Sequence, residues 1–350
     1  MSESAELSYS AAGVDRDAAN LAKDRILDLV RGTTTPGVVP NIGGFGGLFR
    51  VPSGFRSPLL VASADGVGTK LKVASRARRH EGVGHDIVNH CANDILVEGA
   101  KPLFFLDYLG MGRLETGIVE EIVGGVAAAC REIGCALLGG ETAEMPDVYA
   151  DGEYDLAGFI VGAVEEVERP GAHRVVEGDA LIGLASDGFH TNGYSLLRKL
   201  LFERLDLECG DPFPGTDRSV ADVLLQPHRA YGRALGPVLE AGIIHALAHI
   251  TGGGILENLD RVMPANLGAV VRLDTWQPPA PFRSVAELGH IDEREMYRTF
   301  NMGVGMIAVA AASDAERVVG RLSDSGETAW IMGTVVTGGD KVVLATAAGR

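Results

Sequence analysis

Between Glu165 and Asp179 the chain reads EEVERPGAHRVVEGD, a charged stretch broken by Pro170 and Gly171. Such a segment buries little apolar surface, and its Pro–Gly step interrupts both helix and strand. It parts the apolar runs of the chain into two sets, and this division constrains the fold most. The reading is a first domain over residues 15–168 and a second over 169–350, after a flexible lead at 1–14. A length of 350 residues suits about two domains, and 46% hydrophobic residues give each a full core.

Within the first set, DRDAANLAKDRILDLV (15–30) carries Ala22, Ile26, Leu29 and Val30 at near-helical spacing and ends before Gly32. LFRV and PLLVASA flank PSGFRS and predict a strand, a turn and a strand. HDIVNHCANDILVEG (85–99) predicts a helix stopped by Gly99, PLFFLDYLG a buried strand, and ETGIVEEIVGGVAAACREIG a second helix. CALLGGE and DLAGFIVGAVE add strands. In the second set ALIGLASDG, GAVVRLD, MGVGMIAVAA, ETAWIMGTVV and KVVLATA predict strands, with helices at TNGYSLLRKLLFERL, HRAYGRALGPVLEAG, ILENLDRVM and SDAERVVGRLSDSG. Strands and helices come in runs rather than in strict alternation, which predicts α+β or mixed-sheet α/β domains. SADGVGTK and SDGFHTNG are loosely similar, a slight sign of duplication.

A formal charge of −16 argues against nucleic-acid or membrane-surface binding, because no general positive field draws polyanions. An anionic metabolite then needs local N–H groups, basic side chains or a metal. Cys91, Cys130, Cys135 and Cys209 form no CxxC pattern and read as reduced thiols. The polar start is unlike a targeting peptide, and no apolar run approaches the ~20 residues of a membrane span. The expectation is a cytoplasmic globular protein.

Several segments carry chemistry. NIGGFGGLFR (41–50) sets Phe45 between Gly43–Gly44 and Gly46–Gly47, a run suited to cradling phosphate or to a loose hairpin, and matching neither common nucleotide fingerprint. SADGVGTK places Asp65 at a strand end, as a metal ligand or catalytic group, with Lys70 in reach of a phosphate; the alternative is a tight turn closed by Asp65. On the 85–99 helix Asp86, Asn89, His90, Asn93 and Asp94 share one side without a basic partner. Oxygen ligands at that spacing suit Mg²⁺, and a solvated face is the rival. LLGGETAEMP presents Glu141 and Glu144 after a strand ending at Gly139–Gly140, as further metal ligands or as a helix cap. SDGFHTNGYSLLRK sets His190 before a helix starting near Asn192, where a proton donor or acceptor belongs. HITGGGILENL puts three glycines before a helix, a phosphate nest in waiting.

In this order, NIGGFGGLF, SADGVGTKLKVA, HDIV–CANDILVEGAKPLFFLDYL, GGETAEMPDVY, SDGFHTNGYSLLRK and HITGGGILENL resemble the phosphoribosylformylglycinamidine cyclo-ligase (AIR synthetase) family, over nearly the whole chain from Tyr9. The resemblance implies an α/β (α+β) two-domain fold: an N-terminal mixed sheet with helices that pairs across a homodimer into a barrel, and a C-terminal α/β layered domain. It implies closure of the imidazole ring in purine biosynthesis. Formylglycinamidine ribonucleotide and ATP give aminoimidazole ribonucleotide, ADP and phosphate through an iminophosphate. Carried over by position, Gly43, Gly44, Phe45, Gly46, Gly47 and Lys70 meet ATP. Asp65, Asn89, Asn93, Asp94 and Glu141 hold Mg²⁺, with a monovalent cation as a further cofactor the motifs leave open. His190, Lys70 and Asp65 serve catalysis, while Thr191, Asn192 and Thr251 to Gly254 bind the phosphorylated substrate. Among related families, selenophosphate synthetase calls for a reactive cysteine near the glycine run, and hydrogenase-maturation dehydratases for a terminal one; neither is here. Thiamine-phosphate kinase does not carry GGETAEMP together with HTNGYSLLRK.

Overall fold

The structure is a computed structural model and describes residues 16–40, 46–338 and 342–346. Gly43, Gly44 and Phe45 of the glycine run, and the 1–14 lead, lie outside the described residues. The first half runs α1 (Arg16–Arg31), β1 (Val38–Val39), β2 (Leu48–Phe49), β3 (Pro58–Gly66), α2 (Lys70–Ala77), α3 (Glu81–Val97), β4 (Lys101–Met111), α4 (Thr116–Glu132), β5 (Ala136–Glu144) and β6 (Tyr154–Glu165). The second runs β7 (Ala180–Ala185), α5 (Tyr194–Arg198), α6 (Val220–Leu224), α7 (Gly232–Glu240), β8 (Ile244–His249), α8 (Gly254–Asp260), β9 (Leu267–Arg272), α9 (Ala280–Gly289), α10 (Glu293–Thr299), β10 (Val304–Ala310), α11 (Ala315–Asp324), β11 (Ala329–Thr337) and β12 (Val342–Ala345). No helix among the described residues is long and apolar enough to cross a membrane.

In the first half four strands pair in the order β3-β6-β4-β5, antiparallel except for β4 with β5. The strand β2 pairs with β1 and not with β3, so the expected strand–turn–strand over 48–64 is two separate elements. The second half holds a six-stranded mixed sheet, β12-β9-β11-β7-β10-β8, parallel only between β12 and β9. Both sheets are mixed, as the runs of strands and helices imply.

One face of the four-stranded sheet is covered by α3 and α4. These helices cross with their backbones nearly touching: a Cβ at Gly84 would strike Ile122 O and one at Gly125 would strike Glu81 O, so only glycine permits the crossing. Ile87, Val88, Cys91 and Ile95 of α3 are fully buried beneath it. The opposite, polar face of α3 is buried as well, against the second half. Asp86, Asn89, His90 and Asn93 are 0%, 5%, 6% and 1% exposed, which overturns the solvated-face reading. The irregular segment 225–231 lies here, and a buried loop needs partners for its peptide groups. Asn89 Nδ2 donates to His228 O at 2.7 Å and Asn93 Nδ2 to Arg229 O at 2.7 Å. In return Tyr231 N donates to Asn93 Oδ1 (3.0 Å) and His228 N to Asp86 Oδ1 (2.7 Å).

Candidate active site

Asp65 lies at the end of β3, with Ser63 two residues earlier on the same face; His90 and Asp94 lie one turn apart on α3. Two strand residues rise about 6.6 Å and four helix residues about 6 Å, so the two pairs meet as rungs. Asp65 Oδ2 is 2.8 Å from His90 Nε2, and Ser63 Oγ donates to Asp94 Oδ2 at 3.0 Å.

The second half closes the rungs into a chain. His249, the last residue of β8, sets Nδ1 2.8 Å from Asp94 Oδ1 and Nε2 2.9 Å from His228 Nε2. His228 Nδ1 is 3.5 Å from Thr191 Oγ1, which is 2.9 Å from His90 Nδ1. A carboxylate only accepts, so His249 donates from Nδ1 to Asp94 and His90 from Nε2 to Asp65.

The electrostatics agree with this assignment. Burial depresses the His90 pKa, but the hydrogen bond and charge of Asp65 overcome it and raise the imidazole above its ordinary value. Burial lowers His249 despite Asp94, and holds His228 well below the usual range with help from neighbouring His190 and His249. Burial raises Asp65 and Asp94, yet the His90 bond on one and the His249 bond on the other leave both below the ordinary carboxylate value. Their side chains stay 40% and 31% exposed. Two ionised, solvent-reaching carboxylates suit a hard cation such as Mg²⁺, which accepts oxygen ligands and keeps waters.

His190 is wholly buried and holds φ at +58°, in the left-handed region. Asp187 N donates to its Nε2 at 3.2 Å, so the ring proton sits on Nδ1, a buried atom with no partner among the described residues. The ring stacks on His228 at 3.9 Å between centroids. Its loop adjoins the TGGG segment: a Cβ at Gly252 would lie 3.3 Å from Asn192 Oδ1. Asn258 Nδ2 turns the TGGG carbonyls inward, donating to Thr251 O, Gly252 O and Gly254 O at 3.3, 3.1 and 2.8 Å. Gly253 takes φ +91° as the cap of α8. Asn192, two residues after His190, thus neighbours the TGGG segment at Gly252.

Four expectations change. Lys70 does not reach out to a phosphate. Its Nζ is fully buried, with its three donors placed on Asp86 (2.8 Å), His190 O (3.1 Å) and Gln226 O (2.7 Å). Asn93 is buried and spends both ends of its carboxamide on the backbone of Arg229 and Tyr231, which makes it a clamp between the halves rather than a residue facing an open site. Asn89 spends its nitrogen on His228 O but keeps Oδ1 buried and unpartnered, a ligand atom still open. Glu141 lies on β5, whose strand continues through Glu144 rather than ending at Gly140; three strand spacings, about 14 Å, separate β5 from Asp65 on β3. Gly47, packed against Leu138, belongs to that same β5 edge. One chain therefore does not bring Glu141 or Gly47 to the Asp65–Asp94 pair.

His228, His249, Asp187 and Arg229 did not stand out as site residues in sequence. Arg229 bridges Asp187 (3.3 Å) and Glu327 (3.2 Å) beside His190. His249 is visible as the first letter of HITGGG, at the strand end where such groups collect, whereas QPHRAY offers no spacing from which His228 could be read.

Residues 54–164 match the family model described as AIR synthase related protein, N-terminal domain, and 176–345 match its C-terminal counterpart. A phosphoribosylformylglycinamidine cyclo-ligase of Trichlorobacter lovleyi is 48% identical over 328 residues, covering 93% of this chain and 94% of that protein. Among solved structures, a thiamine-monophosphate kinase from Stenotrophomonas maltophilia superposes with a TM-score of 0.69 at 20% identity, covering 91% of this chain and 95% of that one. The hydrogenase maturation protein HypE in complex with ATP gives 0.68 at 20% identity, over 93% and 92%. The structural neighbours share the fold, while the near-half identity along both halves decides among them: the chain belongs to the phosphoribosylformylglycinamidine cyclo-ligase family.

Proposed function

We propose that this chain closes the imidazole ring of formylglycinamidine ribonucleotide, using ATP and giving 5-aminoimidazole ribonucleotide, ADP and phosphate. Family membership sets the reaction, and the unpartnered Nδ1–H of His190 carries its placement in the site. That donor is buried, on the loop whose Asn192 meets Gly252.

In this reading the formamide oxygen takes the γ-phosphoryl group of ATP, the amidine nitrogen attacks the activated carbon, and phosphate departs with the former formamide oxygen. Charge accumulates on phosphoryl oxygens in both steps, so preorganised donors serve better than a covalent nucleophile. His190 Nδ1–H supplies such a donor. Lys70, through His190 O, positions the strained loop rather than touching phosphate. Asp65 and Asp94 hold Mg²⁺, with the unpartnered Asn89 Oδ1 as a further oxygen donor. The magnesium ion, when bound, offsets the charge of the transferring phosphates. Thr191, Asn192 and the N–H groups around Gly252 and Gly253 seat the substrate's 5′-phosphate. Residues 15–168 form the ATP-binding and dimerisation domain, 169–350 the second domain, and Gly43 to Gly47 cover ATP.

The uncovered face of the four-stranded sheet supports a homodimer. Ala62 and Ala64 of β3, Phe159 and Val161 of β6, and Phe104 and Leu106 of β4 line up across the register on the side away from α3. Leu60 and Phe159 are 63% and 45% exposed. An apolar sheet face of this kind suits packing against a second copy, which also makes the β5 edge with Gly47 and Glu141 part of the interface.

Incubation with ATP, Mg²⁺ and formylglycinamidine ribonucleotide tests the proposal. The expected result is aminoimidazole ribonucleotide with stoichiometric ADP; ADP release independent of that substrate, or none at all, overturns it.

A further inference from the structure

Asp187, Arg229 and Glu327 meet beside His190, and ring closure as described gives none of them a role. They come from the loop after β7, the 225–231 segment and the turn between α11 and β11. Arg229 Nε lies 3.3 Å from Asp187 Oδ2, and Arg229 Nη1 lies 3.2 Å from Glu327 Oε2. Glu327 keeps only 11% of its side chain exposed, and Oε2 is buried with no hydrogen-bond partner among the described residues. Burial raises its pKa, Arg229 draws it back and Asp187 adds to the rise. A carboxylate this dry is costly unless a cation faces it, and Arg229 is that cation.

The backbone of the 229–231 segment is tied to both neighbours. Arg229 O accepts from Asn93 Nδ2 on α3 at 2.7 Å, and Tyr231 N donates to Asn93 Oδ1 at 3.0 Å. The Tyr231 hydroxyl donates to Ala185 O, at the end of β7, at 2.8 Å. The guanidinium thus reaches the His190 loop from an anchor on the helix that carries Asp94.

On the loop itself Lys70 holds His190 O, while Ser186 Oγ and Asn301 Nδ2 both donate to Gly188 O at 2.9 Å. These contacts support the left-handed backbone at His190, which needs help from outside the loop. They do not orient the ring, because the terminal torsion of a histidine is broad and roughly two-fold. Stacking on His228 fixes the plane of the ring but not its flip. The flip is selected by Asp187 N, which donates to Nε2 at 3.2 Å. Burial holds the ring neutral, so an accepting Nε2 puts the one proton on Nδ1.

We propose that Arg229 and Glu327 are positioning residues. Through Asp187 they hold the peptide N–H that sets the flip and tautomer of His190, and hence the direction of its Nδ1–H donor. Arginine suits the task because its planar fork reaches two carboxylates at once, where lysine is a single point charge. The effect on rate rests on the ring-closure reading, whereas the effect on the ring does not.

Two variants test the bridge from either side. Glu327→Gln keeps the size of the side chain and removes its charge; Arg229→Lys keeps the charge and removes the fork. Each should lower kcat on the order of tenfold, with KM for both substrates unchanged. In a His190→Ala background the same substitutions should cost nothing further, because their effect passes through the ring. The ¹⁵N-histidine spectrum of the full chain gives a second readout. Wild-type His190, identified by the signal lost in His190→Ala, should show the Nδ1–H tautomer alone, and both variants a mixture of tautomers. A purely structural bridge predicts a lower Tm with equal losses of kcat in both backgrounds. That outcome, or a His190 signal unchanged in both variants, would overturn the proposal. A wild type that makes no aminoimidazole ribonucleotide overturns the ring-closure reading instead, and the His190 signal then decides the bridge alone.

Discussion

Asp86 and Asp94 sit two turns apart on α3, both facing the second half, and their surroundings oppose each other. Asp86 is fully buried, with Lys70 Nζ at 2.8 and 2.7 Å from its two oxygens and a backbone N–H from His228. Burial raises its pKa and lowers that of Lys70, although the three acceptors around Nζ hold the proton on the lysine. Asp94 keeps 31% of its side chain exposed and lies below the ordinary carboxylate range. One helix thus carries a closed end that locks the halves together and an open end where ions and substrate can arrive. Carboxylate chemistry is the same at both; access to water separates their roles.

The largest effect should come from the closed end. Asp86→Ala leaves a buried ammonium without its counter-charge, which costs about 3–5 kcal/mol. Urea denaturation should show that loss, and replacing both members (Lys70→Met with Asp86→Leu) should recover most of it. A stable Asp86→Ala protein with abolished turnover would instead move Asp86 into the reacting set and erase the contrast.

Asp107 on β4 extends the comparison, being buried like Asp86 but without a cation partner among the described residues. Burial pushes its pKa up to about 7 from 3.8. Its contribution to stability is therefore complete below pH 4 and is lost as the pH rises through about 7. Between pH 4 and 8 the wild type should lose roughly 2–4 kcal/mol through this group, and Asp107→Asn should flatten that slope. Stability curves of equal slope for the two proteins would mean that Asp107 finds a compensating charge.

The two ends of α3 also explain what was legible in the sequence. Helical periodicity identified α3 and its polar side, but period alone does not say whether a polar face meets water, a metal or another backbone. Sequence suggests a ligand at Asn93 and a phosphate contact at Lys70 because their backbone partners within 226–231 lie about 140–160 residues away. Strand order is invisible along the chain, so nothing in sequence separates Glu141 on the edge strand β5 from the Asp65 cluster. The strand-end motifs depend less on distant partners: Asp65 meets His90, and Asn192 meets Gly252, because loops at strand ends meet wherever their strands neighbour.

At the open end, Asp94→Asn keeps the shape of the side chain and an acceptor for His249, so stability should stay within about 1 kcal/mol. Turnover should fall on the order of 100-fold, about 2.7 kcal/mol of transition-state stabilisation, and the Mg²⁺ concentration for half-maximal rate should rise. A loss of fold with unchanged Mg²⁺ dependence in the survivors would give Asp94 the structural role assigned to Asp86.

The smallest expected effect lies on the substrate wall. At Gly252 the backbone does not need the left-handed region, and an added Cβ would meet only Asn192 Oδ1 at 3.3 Å. Gly252→Ala should therefore fold normally while pressing on Asn192 and narrowing the approach to the N–H groups of the loop. The expected outcome is a several-fold rise in KM for the phosphorylated substrate, about 1 kcal/mol, with kcat and the KM for ATP unchanged. Such a split follows if the loop holds a part of the substrate remote from the reacting bond, binding ground and transition states alike. A fall in kcat at constant KM would instead draw the TGGG loop into the chemistry beside His190.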